Sequence, residues 1–394
     1  MGKAEAPRTS PPPRALSCIA IANRGEAALR LIRAVKALRA EEGSELRTLA
    51  LYTEVDRGTP FVRHADAAIP LGPAPSPVAA HLDRERLVAA ARRGGADAVW
   101  PGWGFVAEDP EFADAVVARG MVFLGPSGDT MRRIGDKIAA KRLAETLGIA
   151  VAPWSGEATT GIEFAHKHAE RIGYPLVIKA AAGGGGRGIR TVARPEELDT
   201  AFRRATEEAR NAFGDPRVFL EKQVATARHI EVQIAADQAG TALALGARDC
   251  SVQRRHQKLI EETPPPGVAP TSLRRLEESA LTLVRAVGYV GVGTVEFLLS
   301  GDEFFFLEMN PRLQVEHGIS EEVTGLDLVR LQIRIARGEP LPAQAPFSRG
   351  VAIEARLCAE DPEAGYRPAP GRIVRFDAPL GPRVRVDAGV VAGC

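Results

Sequence analysis

Cysteine is scarce in this sequence and never paired. Its four thiols, Cys18, Cys250, Cys358 and Cys394, lie far apart and form no CxxC, which disfavours a zinc site and a disulfide framework alike. Reduced thiols, and with them a cytoplasmic location, are the expectation. A charge excess is missing too: 51 Lys and Arg stand against 50 Asp and Glu, a net +1. That balance offers no field for gathering nucleic acid or anionic lipid, so neither is an expected partner, and any anion site must be local. No apolar run approaches the roughly 18 residues of a membrane span. The leader MGKAEAPRTSPPPRA lacks the apolar centre of a signal peptide, and Ala6 breaks the myristoylation pattern. Residues 1–15 read as a disordered, proline-rich tail.

What is present is enough for a sizeable core. With 45% hydrophobic content, 394 residues suffice for two or three domains at roughly 100–200 residues each. SCIAIA, then NRGE, then a helical pattern from Ala27 to Ala40 form a strand–turn–helix unit. TLALYT and the helix-then-strand segment from Leu82 to Gly104 continue it, so residues 16–128 read as a doubly wound α/β domain. Its first turn lacks GxGxxG, which argues against dinucleotide binding there. Residues 150–222 read as a small α+β lid inside a larger domain, 129–340. Residues 347–394 open a further strand-rich module.

Gly183, Gly184, Gly185, Gly186, Arg187 and Gly188 formally match GxGxxG, but the strand-like IRTVA follows them instead of a helix. A glycine hairpin between strands exposes N–H groups without Cβ obstruction and can fold over phosphates, with Lys179 adding charge. The bland alternative is a flexible hairpin without a ligand.

In FFFLEMNPRLQVEHG, the residues Glu308, Asn310, Arg312, Gln314 and Glu316 take every second position and would share one face of an extended chain. Met309, Leu313 and Val315 would face a core. Such a stripe suits a solvated face or the floor of a cleft. A three-residue loop, Gly301–Glu303, would pair Ser300 with Phe304 and so Glu296 with Glu308. Two carboxylates directly opposite repel, and a divalent cation such as Mg²⁺ beside phosphates removes the conflict. Arg312 and Glu316 would lie about 13 Å apart on an extended strand, placed for separate tasks: a guanidinium for a developing oxyanion, a carboxylate for proton removal.

Asp136 reads as a helix N-cap and Lys137 as the first helical residue, a cation set against the positive end of the dipole unless a phosphate binds there. The run Gln253–Arg254–Arg255–His256–Gln257–Lys258 has no periodicity and is either a solvated loop or the lining of an anion site. His229, alternating with Ile230, Val232 and Ile234, reads first as a structural histidine.

Together these segments resemble the biotin carboxylase family of ATP-grasp ligases, over nearly the whole chain from Ile19 to Cys394. The matching motifs are IANRGEAALR, GPSGDTMRRIGDK, YPLVIKAAAGGGGRGIR, FLEKQVATARHIEVQ, RDCSVQRRHQKLIEE, EMNPRLQVEHGISEEVTG and EARLCAEDP. The resemblance implies a pre-ATP-grasp domain, an ATP-grasp domain with its lid, and an incomplete C-terminal biotin carboxylase domain. It implies an ATP site at Lys137, Lys179, the loop Gly183–Gly188, the hinge Glu221, Lys222 and Val224, then His229, Gln253, His256 and Leu298. Mg²⁺ or Mn²⁺ would rest on Glu296 and Glu308 near Asn310. Lys258, Gln314, Val315 and Arg356 would hold bicarbonate, and Glu316 would deprotonate it to give carboxyphosphate. Arg312 would stabilise the biotin enolate formed after phosphate takes the ureido proton.

Implied partners are a biotin carboxyl carrier protein or domain and a carboxyltransferase, with acetyl- or propionyl-CoA as final acceptor. Arg30, Arg33 and Arg385 match dimer-interface positions of bacterial subunits, so a homodimer is an expectation. WPGWG and NPR, however, look more like multidomain acyl-CoA carboxylases, whose bacterial counterparts read closer to HPGYG and NTR. Gly318 stands where the family has Pro and is expected to loosen the loop after Glu316. The chain stops at DAGVVAGC, short of the family's usual end, and contains no AMKM-like attachment site, so the carrier is expected elsewhere. Two other readings stay open: a carboxyphosphate-forming ligase of the carbamoyl phosphate synthetase type, and an inactive scaffold.

Overall fold

The computed structural model describes residues 14–182, 188–379 and 381–394. The first domain is a parallel sheet of β1 (Cys18–Ile21), β2 (Arg47–Tyr52), β3 (Ala67–Pro70), β4 (Ala98–Trp100) and β5 (Val122–Phe123), in the order β3-β2-β1-β4-β5. Helices α1 (Gly25–Glu42), α2 (Pro60–His64), α3 (Pro77–Leu82), α4 (Arg84–Arg93) and α5 (Pro110–Ala118) connect the strands. Both faces are covered, which is why the strands read as unbroken apolar runs. Ile19 and Ile21 join one core with α1, while Ala20, Leu49 and Val99 join the other with α4 and α5. Helix α1 stops at Gly43, where φ is +62° and the N–H closes on the Arg39 carbonyl at 2.9 Å.

Asp136 separates α6 (Gly128–Gly135) from α7 (Lys137–Thr146), and its Oδ1 accepts from the N–H groups of Ile138 and Ala139 at 2.9 and 3.0 Å. Its other oxygen meets Arg217 at 3.0 Å, tying the cap to the lid. Asp136→Ala should therefore lower stability by about 1 kcal/mol, read as a lower unfolding midpoint, with Asp136→Asn recovering most of it. The lid has α8 (Ile162–Ile172), β6 (Leu176–Ala180), β7 (Ile189–Val192), α9 (Leu198–Phe213) and β8 (Val218–Lys222). Its strands are antiparallel in the order β7-β6-β8. Gly183, Gly184, Gly185, Gly186 and Arg187 lie outside the described residues. The next described element, β7, pairs antiparallel with β6, Lys179 opposite Ile189, so a strand follows β6 as expected.

The central sheet is antiparallel, in the order β13-β12-β9-β10-β11-β14. It contains β9 (Arg228–Ala236), β10 (Ala242–Arg254), β11 (Gln257–Thr263), β12 (Gly291–Ser300), β13 (Glu303–Asn310) and β14 (Ala352–Ala355), with α10 (Pro270–Ala286), α11 (His317–Thr324) and α12 (Leu328–Arg337). Ile230, Val232, Val295, Phe297 and Phe306 bury one face against α10 and α7. The strand-rich module beginning at 347 is not separate at its start: β14 extends the central sheet beside β11. Beyond it, among the described residues, only β15 (Glu360–Asp361) and β16 (Arg367–Pro368) pair. No described helix is long and apolar enough to cross a membrane.

Three expectations need correction. The 253–258 run is not a loop but a tight hairpin: β10 runs through Arg254, β11 starts at Gln257, and Arg255 and His256 form the turn at φ of +53° and +61°. Ser300 pairs with Glu303, not Phe304. A bulge at Leu307 then restores the opposition of Glu296 and Glu308. The polar stripe also does not stay extended to Glu316. Pro311 carries no N–H, β13 ends at Asn310, and the chain turns into α11 at His317.

Candidate active site

Opposite its apolar face, the central sheet places charged residues in one transverse row. Arg248 on β10 faces Glu231 on β9, Glu231 faces Glu296 on β12, and Glu296 faces Glu308 on β13. Neighbouring strands bring directly opposed side chains to the same face, so three carboxylates meet and need cations. Lys258 on β11 supplies one, reaching Glu231 at 2.5 Å, Glu296 at 2.9 Å and Glu316 at 2.7 Å. His229 Nε2 lies 2.9 Å from Glu296 and Lys137 Nζ 2.8 Å from Glu308. Arg356 spans Glu261 at 2.6 Å and Glu316 at 2.8 Å.

Glu296 and Glu308 of this row line a cavity of about 750 Å³, a size common for small-ligand sites. Lys137, Lys179, His229, Gln253, His256, Lys258, Leu298, Arg312, Gln314, Val315, Glu316 and Arg356 all line it, with Glu296, Glu308 and Asn310. Other predicted positions do not. Glu221 lies buried behind Lys179. Lys222 donates to the Tyr174 carbonyl at 2.7 Å, and neither Val224 nor Gly188 reaches the cavity wall. What the lid offers the cavity is the Lys179 side chain, with Val177, Ile189, Thr191 and Phe219 around it. A second hollow, about 800 Å³ between the start of α1 and residues 389–394, contains none of the predicted residues.

The charges are strongly held. Burial works against the Glu316 carboxylate, but Lys258, Arg248 and Arg356 outweigh it and bring its pKa down to about 2. Glu296 is likewise pulled well below the usual range, burial being overcome by Lys258 and His229. Lys258 is pushed well above the lysine range by Glu231, Glu296 and Glu316 despite its burial. Glu354 has no comparable partner: burial, Glu261 and Glu316 push its carboxyl up to about 8.

Arg312 lines the cavity, but its donors are engaged by its neighbours. Its Nε donates to Glu108 at 2.8 Å and its Nη1 to the Leu313 carbonyl at 3.2 Å. Gly318 is buried in the first turn of α11, where an added Cβ would meet Arg385 and Glu354 at ordinary 3.6 Å contacts, so no loose loop follows Glu316. Arg30 is spent inside the chain, 2.7 Å from Glu321 and 2.6 Å from Asp327, and Arg385 also pairs with Glu321. Of the three expected interface arginines only Arg33, at 47% side-chain exposure, keeps much of its surface.

Several residues escaped sequence reading. Glu231 and Arg248 sit in apolar strands and acquire meaning only through register. Lys141 follows Lys137 by four residues on one helix face, a spacing that could have revealed it. His317 Nδ1 lies 2.9 and 3.0 Å from the carbonyls of Gln314 and Val315, while Arg30 Nε donates to its Nε2 at 3.2 Å. Those partners fix the neutral, Nδ1-protonated imidazole and anchor the turn that carries Glu316.

The directly opposed carboxylates of Glu296 and Glu308 fit a hard divalent cation; Asn310 lies beside them, its Nδ2 donating to Glu296 at 2.9 Å, and the groups now neutralising the pair are flexible lysine and histidine ends. Residues 15–131 match the family model described as "Biotin carboxylase, N-terminal domain". Residues 136–344 match "Carbamoyl-phosphate synthase L chain, ATP binding domain", and 354–394 match "Biotin carboxylase C-terminal domain". A pyruvate carboxylase subunit of Methanothermobacter thermautotrophicus is 43% identical, over 95% of this chain and 75% of its own length. The biotin carboxylase of Pseudomonas aeruginosa is 42% identical, over 96% and 83%. The crystal structure of a biotin carboxylase domain dimer of Hydrogenobacter thermophilus 2-oxoglutarate carboxylase, with MgADP, ADP and bicarbonate, superposes with a TM-score of 0.92. It shares 38% identity and covers 96% of this chain and 83% of that one. By sequence, fold and site chemistry, this chain belongs to the biotin carboxylase family.

Proposed function

We propose that the chain uses ATP and bicarbonate to carboxylate biotin held on a carrier protein or domain. The observation that carries the reading is the shared clamp on Glu316: one carboxylate, two exchangeable cations and a nucleotide-sized cavity around them. Bicarbonate entering between Lys258 and Arg356 is positioned by Gln314 and the Val315 backbone, and Glu316 takes its proton. Its oxygen then bonds to the γ-phosphorus as the bond from that phosphorus to the β–γ bridging oxygen breaks, giving carboxyphosphate and ADP. Lys137 and Lys179, with the hinge and His229, hold the nucleotide. Glu296, Glu308 and Asn310 would hold Mg²⁺, which would supply charge neutralisation for the nucleotide when bound. Carboxyphosphate yields CO₂ and phosphate, the phosphate takes the biotin ureido proton, and Arg312, released from Glu108, steadies the enolate.

The domain limits follow the same reading: a pre-ATP-grasp domain at 16–128, an ATP-grasp domain at 129–340 with its lid at 150–222, and C-terminal-domain sequence from 347. We assign the chain the first half-reaction of an acyl-CoA carboxylase, with acetyl- or propionyl-CoA as acceptor, working beside a carboxyltransferase in the cytoplasm as a homodimer through Arg33. WPGWG and NPR support the acyl-CoA class.

The test is ADP release with bicarbonate, with and without free biotin; stimulation by biotin is the expected result. Because residues 136–344 match a model described for carbamoyl-phosphate synthase, stimulation by ammonia and not by biotin would select that chemistry instead. Glu296→Gln combined with Glu308→Gln should raise the Mg²⁺ concentration for half-maximal rate by roughly 10–100-fold. An unchanged Mg²⁺ requirement would remove both carboxylates from the metal site.

A further inference from the structure

We propose that Lys141 is the counter-ion that keeps Glu221 neutralised while Lys179 is given over to the phosphates of a bound nucleotide; the role rests on the ATP reading above. Glu221 is 2% exposed and lies between two ammonium groups. Lys179 donates to its Oε1 at 2.8 Å, and Lys141 Nζ sits 2.5 Å from its Oε2, as an ion contact. Lys141 is itself 1% exposed, and its one further partner among the described residues is the Phe306 carbonyl, at 3.4 Å.

Two buried cations on one carboxylate leave a positive charge in excess. The next carboxylate acting on Lys141 is Glu145, which already accepts from Trp154 Nε1 at 2.9 Å. A buried charge without a partner is costly, so the excess points to an anion from outside the chain. Both lysines line the cavity, and so does Lys137. Helix α7 sets Lys137 and Lys141 four residues apart, a repulsive spacing unless each has its own anion. Lys137 has Glu308, and Lys141 has Glu221.

Lys179 is the member free to move. It is the penultimate residue of β6, whereas Lys141 is fixed inside a packed helix. If Lys141 were absent, drawing Lys179 toward phosphate would strand the Glu221 carboxylate in the interior. Lys141 removes that obstacle by acting through Glu221, which makes it a positioning residue. Burial drives the Lys141 pKa below the lysine range, Glu221 opposes the drop and Lys179 adds to it, so moving Lys179 away from the pair favours the charged form of Lys141.

The decisive measurement compares ATP with adenosine, which lacks phosphate, by calorimetry on the full chain. Lys141→Met should weaken ATP binding roughly 10–100-fold and leave adenosine within about twofold. Lys141→Arg, which keeps the charge, should retain most of the ATP affinity. In Lys141→Met with Glu221→Gln no carboxylate holds Lys179, and much of the ATP affinity should return. Lys141→Gln serves the same comparison if the apolar variant does not fold. Equal losses for ATP and adenosine, or no loss at all, would overturn the proposal. Wild-type chain that bound adenosine and ATP equally would remove the ATP reading beneath it as well.

Discussion

Glu316→Gln should reduce bicarbonate-dependent ATP turnover about 10²–10⁴-fold and leave ATP affinity within about twofold, since only the proposed proton acceptor is lost. In the ligand-free chain Glu316 is an unpromising base. Against the effect of burial, Lys258, Arg248 and Arg356 hold its pKa at about 2, where proton affinity is low. Bicarbonate changes that balance because it competes for Lys258 and Arg356, now 2.7 and 2.8 Å from the carboxylate. As those cations turn to the substrate, Glu316 loses part of what depresses it and becomes more basic when a proton must move. A depressed carboxyl stays ionised until pH falls through its folded pKa, so Glu316 is charged in the free protein throughout the range above about pH 4. The acid limb of kcat/KM for bicarbonate should therefore not report Glu316. ADP release across pH, with nucleotide binding measured in parallel, checks both statements; turnover within tenfold of wild type would exclude Glu316 as the base.

Much of this site is legible in the sequence because its parts obey local rules. The strand–turn–helix of the first domain follows from an apolar run and a 3.6-residue period, and the Asp136 cap from residue type. Opposition of Glu296 and Glu308 is also accessible, though by a wrong route. A three-residue loop predicts it, whereas the turn is tighter and the bulge at Leu307 makes up the difference. A bulge leaves no mark in alternation, and a one-residue slip would have sent the Glu308 side chain to the opposite face. The stripe beyond Pro311 fails for a plainer reason: proline ends the ladder, and Glu316 reaches Lys258 by a turn instead of along a strand. Arg248 and Glu231 stay hidden because their partners are distant in sequence. Pairing across strands 17 residues or more apart is a property of register, which local pattern does not encode.

Arg248→Met should destabilise the central sheet by roughly 3–5 kcal/mol, because a buried ion pair that loses one partner leaves an uncompensated charge behind. Arg248 is fully buried, and every donor of its guanidinium is used. Nε reaches Glu231 at 2.6 Å, Nη1 reaches Gln233 at 2.6 Å and Ser320 at 2.8 Å, and Nη2 reaches Thr294 and Gln314 at 3.3 Å each. Methionine fills similar volume but satisfies none of these acceptors, and Glu231 is left to Lys258 alone. Arg248→Lys should fail too, since a point charge with three donors cannot reproduce a planar five-donor fork. In a chain of several domains the cleanest readout is amide exchange, with protection lost first in β9, β10 and β12. Function should separate in the same variant. Gln314 and Ser320 attach the Glu316 turn and α11 to the sheet through Arg248, so the KM for bicarbonate should rise while adenosine binding at the lid side holds. Exchange protection within about 1 kcal/mol of wild type would mean that the network relaxes around the missing charge, and that Lys258 alone suffices to balance the row of carboxylates.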